Sequence, residues 1–154
     1  MILSRDRILV THVGSLPRSE ALSEMLIDRE EGRPRSEQQL ADEMDGAVRH
    51  VIAKQVEAGI DIGNDGEQQR VGFQTYVPRR MSGYAGESKR RVGRDFVAFP
   101  ALTEDLRRRF PKRSRMQNAP EAQAEIHYLD SAAITAEVDR LRRAVSVPRP
   151  FSAR

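Results

Sequence analysis

The chain is predicted to fold as α/β, and three observations carry that expectation. A short apolar run, Ile8-Leu9-Val10, leads into Thr11-His12-Val13-Gly14-Ser15-Leu16-Pro17-Arg18. A second run, Ile60-Asp61-Ile62-Gly63-Asn64, leads into Asp65-Gly66-Glu67. A long stretch of helical periodicity lies between them. Strand, helix and strand in that order make a βαβ unit. Its polar chemistry sits at the carboxyl ends of neighbouring parallel strands, where α/β folds build their sites.

Each element has its own signal. Residues 8–10 read as a short buried strand, broken by Gly14 and Pro17. Residues 20–28 form a short helix carrying Leu22, Met25 and Leu26. Gly32, Pro34 and Ser36 mark a loop, and Ser36 is the expected N-cap of the next helix. Leu40, Met44, Ala47, Val48, Val51, Ile52 and Val56 recur at helical spacing, so residues 37–58 read as one amphipathic helix stopped by Gly59. Residues 60–64 enter the sheet. Residues 69–81 read as a further helix whose later half is weakened by Pro78. Residues 83–99, with Gly86, Gly93 and alternation over 94–99, fit a β-hairpin excursion. Residues 102–110 look helical, residues 122–128 are a third sheet strand, and Ile134, Val138, Leu141 and Val145 mark one apolar face of a last helix. The expected organisation is a single domain over residues 1–154, with an open sheet edge that invites a partner chain or self-association.

Composition narrows the chemistry. Of the 154 residues, 32% are charged and only 5% aromatic, so the core must be thin and aliphatic. No segment reads as a membrane span or a signal peptide, which makes the cytoplasm the expected location and excludes a membrane partner. There is no cysteine, which removes disulfides, thiolate metal ligands and a thiol nucleophile. Basic residues cluster at Lys89, Arg90, Arg91, Arg94, Arg107, Arg108, Arg109, Lys112, Arg113 and Arg115. This cluster reads as a solvated, anion-steering face rather than a nucleic-acid surface, because aromatic residues are not interleaved with it.

The candidate site residues are Val13, Gly14, Ser15 and Glu67, with His12 and Asp65 beside them. Taken alone, Gly14 to Pro17 also reads as an ordinary turn, and Asp65 as a cap for the helix after it. At two neighbouring strand ends they point together to a binding site. Backbone N–H groups and the Ser15 hydroxyl suit a carboxylate, and the Glu67 carboxylate suits an ammonium. His50 reads as surface or packing. His127 has no metal-ligand partner at recognisable spacing.

The two motifs resemble the cobalamin-independent methionine synthases, specifically their catalytic C-terminal barrel and its stand-alone relatives. Val13-Gly14-Ser15-Leu16-Pro17 is similar to the family's Gly-Ser loop, and Gly66-Glu67 to its Gly-Glu pair. Residues 55–67 and Arg79-Arg80-Met81-Ser82-Gly83 look like the stand-alone branch. The resemblance covers most of residues 8–145. It implies the front portion of a TIM-type (β/α)8 barrel, roughly its first three βα units with the hairpin excursion.

The implied activity passes a methyl group from a polyglutamylated 5-methyltetrahydrofolate to the thiol of homocysteine, giving methionine. The resemblance also implies that Val13, Gly14, Ser15 and Glu67 hold the amino-acid end of homocysteine. The family uses zinc to make the thiol a thiolate, through ligands expected in the later half of the barrel and not in this chain. The isolated chain is therefore expected to hold part of the amino-acid pocket and to lack the methyl-transfer machinery. Two other readings stay open: a related zinc-dependent transferase acting on another thiol, and a non-catalytic barrel module.

Overall fold

The computed structural model describes residues 4–86, 91–109, 120–129 and 131–145. The chain divides into two compact units, residues 1–71 with 131–154, and residues 72–130.

Among the described residues, the first unit is built on three helices. Helix α1, Glu20–Glu30, starts where the Ser19 side chain accepts a hydrogen bond from the Leu22 amide. Helix α2, Glu37–Glu57, starts in the same way, with Ser36 accepting from Gln39. Each cap satisfies one of the donors that a helix N-terminus leaves unpaired. Helix α2 ends at Ala58, and Gly59 takes the left-handed conformation (φ 76°) that releases the chain. Helix α6, Ser131–Val145, is the last element described in this unit.

Apolar periodicity places α2 in two cores at once. Its Leu40 and Met44 pack with Leu22, Met25 and Leu26 of α1, and Ala47 and Val71 close over them. One turn further on, Val48 and Ile52 pack with Ala144 of α6, flanked by Leu141 and Val145. Burying such a side chain contributes about 1.5–3 kcal/mol, so the long helix is the common wall of the unit.

The sheet is much smaller than the sequence predicts. The first and second apolar runs do lie parallel, but they meet in a single bridge, Thr11 with Ile62. The Ile62 and Asp61 amides both donate to the Val10 carbonyl, at 3.2 and 2.9 Å, and the Thr11 hydroxyl donates to the Ile62 carbonyl at 2.7 Å. Residues 8–10 are not the buried strand expected, since Ile8 is 85% and Val10 49% exposed. A strand buried on both faces needs layers above and below it, and this segment pairs with one neighbour.

The second unit, described by itself, holds α3 (Phe73–Arg80), α4 (Arg94–Ala98), α5 (Pro100–Arg109) and a two-stranded antiparallel sheet. Helix α3 starts later than expected, after Gly72, and carries Pro78 inside it. The sheet pairs β1, Tyr84–Ala85, with β2, Glu121–Ala122. The expected third parallel strand over 122–128 is therefore antiparallel, to residues 81–85, and an isolated bridge from Met81 to Tyr128 continues the pairing. Gly83 makes the close approach possible: at φ 82°, a Cβ there would lie 2.6 Å from the Glu125 carbonyl oxygen.

The hairpin expected within 83–99 does not form among the described residues. Phe96 and Phe99 are three residues apart, a helical spacing that places them on opposite faces of a strand, and residues 94–98 are helical. Of the predicted helix at 102–110, α5 covers all but Phe110, which lies outside the described residues together with Lys89, Arg90, Lys112, Arg113 and Arg115. Arg108 and Arg109 are exposed and pair with Asp105 at 2.8 and 2.7 Å. No helix among the described residues is long and apolar enough to cross a membrane.

Candidate substrate-binding site

The parallel bridge sets two loops side by side. Loop A, residues 11–19, leaves Thr11, and loop B, residues 61–71, leaves Ile62. Their bases are tied by Asp61, whose carboxylate accepts from the Arg7 guanidinium (2.7 Å) and from the Val10 amide (2.9 Å). Those bonds, the Arg7 contact first, hold the Asp61 carboxyl down at about 2.

Above the bridge the loops are laced together. The Asn64 side-chain amide donates to the His12 carbonyl at 2.6 Å, and its oxygen accepts from the Gly66 amide at 2.8 Å. The Leu16 amide donates to the Gly66 carbonyl at 2.9 Å. The Gln68 side chain donates to the Leu16 carbonyl at 2.9 Å and to the Gly66 carbonyl at 3.2 Å. The Arg18 guanidinium donates to the carbonyls of Glu67 (3.0 Å), Arg70 and Val71 (3.2 Å).

Helix α2 anchors the base of loop B. Gln55, near its C-terminal end, donates to the Asn64 carbonyl (2.8 Å) and accepts from the Asn64 amide (3.0 Å), reproducing with a side chain what a neighbouring strand supplies. Helix α6 reaches loop B too. Arg140 donates to the Gln69 side-chain oxygen at 2.5 Å, and Gln69 donates to the Asp65 carboxylate at 3.1 Å.

The six candidate residues take different places in this frame. Val13, Gly14 and Ser15 are exposed at the crest of loop A, with Gly14 at φ 93°. A side chain there is strained by its conformation, although nothing lies within 4 Å of the Cβ position. His12 is half-buried, and its Nε2 lies 3.0 Å from the Gly14 carbonyl, so its ring braces loop A. The Asp65 carboxylate accepts from the Glu67 amide at 3.0 Å and braces loop B.

Glu67 has a side chain about one-third exposed, with a carboxylate oxygen 3.6 Å from the Arg70 guanidinium. It is also the one described non-glycine residue with positive φ, 56°. That conformation costs roughly 1–2 kcal/mol in an L-residue, and the hydrogen bonds around it must hold it. Ser15 and Glu67 thus occupy adjoining loops, each one residue away from the Leu16–Gly66 hydrogen bond.

Sequence reasoning missed the groups that join the loops: Gln55, Asn64, Gln68 and Arg18. Gln55 had a readable signal, since it occupies a buried position on the apolar face of α2. A glutamine kept there needs polar partners. The others lie in the two loops and carry no periodicity.

The chemistry of the donor set does not fit the zinc that the resemblance implies. The chain has three histidines and no cysteine. His12 braces its own loop, His50 is exposed on α2, and His127 is exposed beside Glu125 at 3.5 Å. Among the described residues, no group of three or more metal-ligating side chains comes together.

No curated protein and no solved structure matches this chain. A family model, cobalamin-independent synthase, catalytic domain, matches residues 8–125, which include both loops, the bridge between them and helices α1 to α5. Since the match spans well over half of the sequence, the chain belongs to the cobalamin-independent synthase catalytic-domain family.

Proposed function

We propose that loops A and B form the amino-acid cradle of a methionine-synthase-type methyltransferase. In this reading the reaction moves a methyl group from a polyglutamylated 5-methyltetrahydrofolate to the thiol of homocysteine. The single observation that carries it is the Leu16–Gly66 hydrogen bond, 2.9 Å long, between the residues next to Ser15 and Glu67. The Thr11–Ile62 bridge, with α1 and α2 in the crossover between its strands, then belongs to the parallel sheet of a (β/α)8 barrel.

The residues divide the work by charge. The exposed backbone of Val13 and Gly14 and the Ser15 hydroxyl take the substrate carboxylate, while Glu67 takes its ammonium in a charge-assisted hydrogen bond. Holding both ends of the zwitterion fixes where the thiol points, which matters because a folate-bound methyl is a poor electrophile and needs an aligned attacker. His12 and Asp65 act at one remove, by shaping the two loops.

Calorimetric titration of the full chain with homocysteine tests the reading. The wild-type chain is expected to bind, and Glu67→Gln, which removes the charge and keeps the size, to bind about tenfold to a hundredfold more weakly. Equal affinity for both would remove Glu67 from the site.

A further inference from the structure

We infer that two side-chain amides, Gln68 and Asn64, are the positioning residues of this cradle, setting the spacing between the Ser15 hydroxyl and Glu67 without touching substrate. The inference rests on the amino-acid reading of the site and extends it to residues that the reading does not need for contact.

Gln68 is among the most buried residues of the chain, 1% exposed, although glutamine pays heavily to leave water. Its amide group repays that cost by donating across to Leu16 in loop A and back to Gly66 in loop B. Asn64 repeats the arrangement one step nearer the bridge, donating to His12 in loop A and accepting from Gly66 in loop B. Each amide therefore holds one point of each loop. The four points, His12, Leu16 and Gly66 twice, bracket Gly14 and Ser15 on one side and adjoin Glu67 on the other.

Glu67 makes the clamp consequential. A residue at φ 56° relaxes to negative φ once its neighbours allow, and that relaxation swings its carboxylate to a new direction. Gln68 follows Glu67 directly and fixes the chain on its far side. A fully buried donor pair at this point does more than fill space: apolar residues of equal length would pack without specifying where Leu16 and Gly66 sit.

The test uses the full chain, homocysteine as probe and two readouts, the dissociation constant at low temperature and the thermal midpoint. Gln68→Met keeps length and loses both donors; Asn64→Ala removes the second clamp independently and serves if the first variant fails to fold. Each is expected to weaken binding by about tenfold, the effect of losing a buried hydrogen bond that holds a binding group. Asp28→Asn, which weakens the ion pairs with Arg33 and Arg35 away from the loops, is expected to lower the midpoint and leave the dissociation constant unchanged. A wild-type dissociation constant in Gln68→Met or, should that variant not fold, in Asn64→Ala overturns the inference while the amino-acid reading stands. A wild-type chain that does not bind homocysteine overturns both.

Discussion

The Leu16 amide donates to the Gly66 carbonyl across 2.9 Å, and Gly66 itself sits at φ 58° with its Cβ position 3.0 Å from the Leu16 side chain. The approach of the two loops thus depends on a missing methyl group. Gly66→Ala adds a left-handed penalty of roughly 1–2 kcal/mol and presses on Leu16, and is expected to lower stability by at least that amount. Urea denaturation checks the stability, and homocysteine titration is expected to show weakened binding in the same variant.

Acid should loosen the loops through Asp61. Arg7, and after it the Val10 amide, hold this carboxyl at about 2 against an ordinary 3.8. The folded chain therefore takes up this proton at lower pH than the unfolded chain. The stability it contributes is complete above about pH 4 and is lost as pH falls towards 2. Asp28, lowered by Arg33 and Arg35, works in the same sense. Urea midpoints followed downwards from about pH 5 are expected to fall in the wild type and to fall less steeply in Asp61→Asn.

Helix α6 is coupled to loop B through one guanidinium. Arg140 pairs with Asp45 of α2 and with Gln69, and its side chain is only 13% exposed. Burial pulls the Asp45 carboxyl up, and Arg140 and Arg143 outweigh it, leaving the group below its usual range. Arg140→Met is expected to cost about 1–3 kcal/mol by stranding these partners. Hydrogen exchange should show faster amide opening in α6 and in loop B, with α1 unaffected.

The core of α1 and α2 should respond independently of the site. Leu26 is fully buried in it, and Leu26→Ala is expected to cost about 2–5 kcal/mol through the cavity it leaves. Thermal denaturation measures the loss. Homocysteine affinity, read well below the midpoint, is expected to stay close to wild type.

Helices α1, α2, α5 and α6 were legible in the sequence because their determinants are local. Ser36 and the period from Leu40 to Ile52 predict α2 almost to the residue, and the apolar face at Ile134, Val138, Leu141 and Val145 predicts α6. The sheet was not legible to the same degree, because a strand is defined by its neighbour. Residues 122–128 carry a strand-like pattern, yet pair antiparallel with the segment around Gly83, where the missing side chain permits the close approach. Residues 94–98 are helical where alternation was expected, and the three-residue spacing of Phe96 and Phe99 suits a helix and not one face of a strand.

The site divides along the same line. Gly14, Ser15 and Glu67 stand out as candidates because glycine and polar residues after apolar runs are punctuation with known uses, and the structure sets their two loops side by side. Gln68 and Asn64 were not, since a buried amide shows its worth only when its partners, fifty residues away in sequence, are in place.

Amide NMR during a homocysteine titration shows most directly whether loops A and B act as one cradle. The resonances of Gly14 and Ser15 and those of Gly66 and Glu67 are expected to move together, with one common dissociation constant. Displacement of one loop alone, or two loops titrating with different constants, would contradict a single cradle.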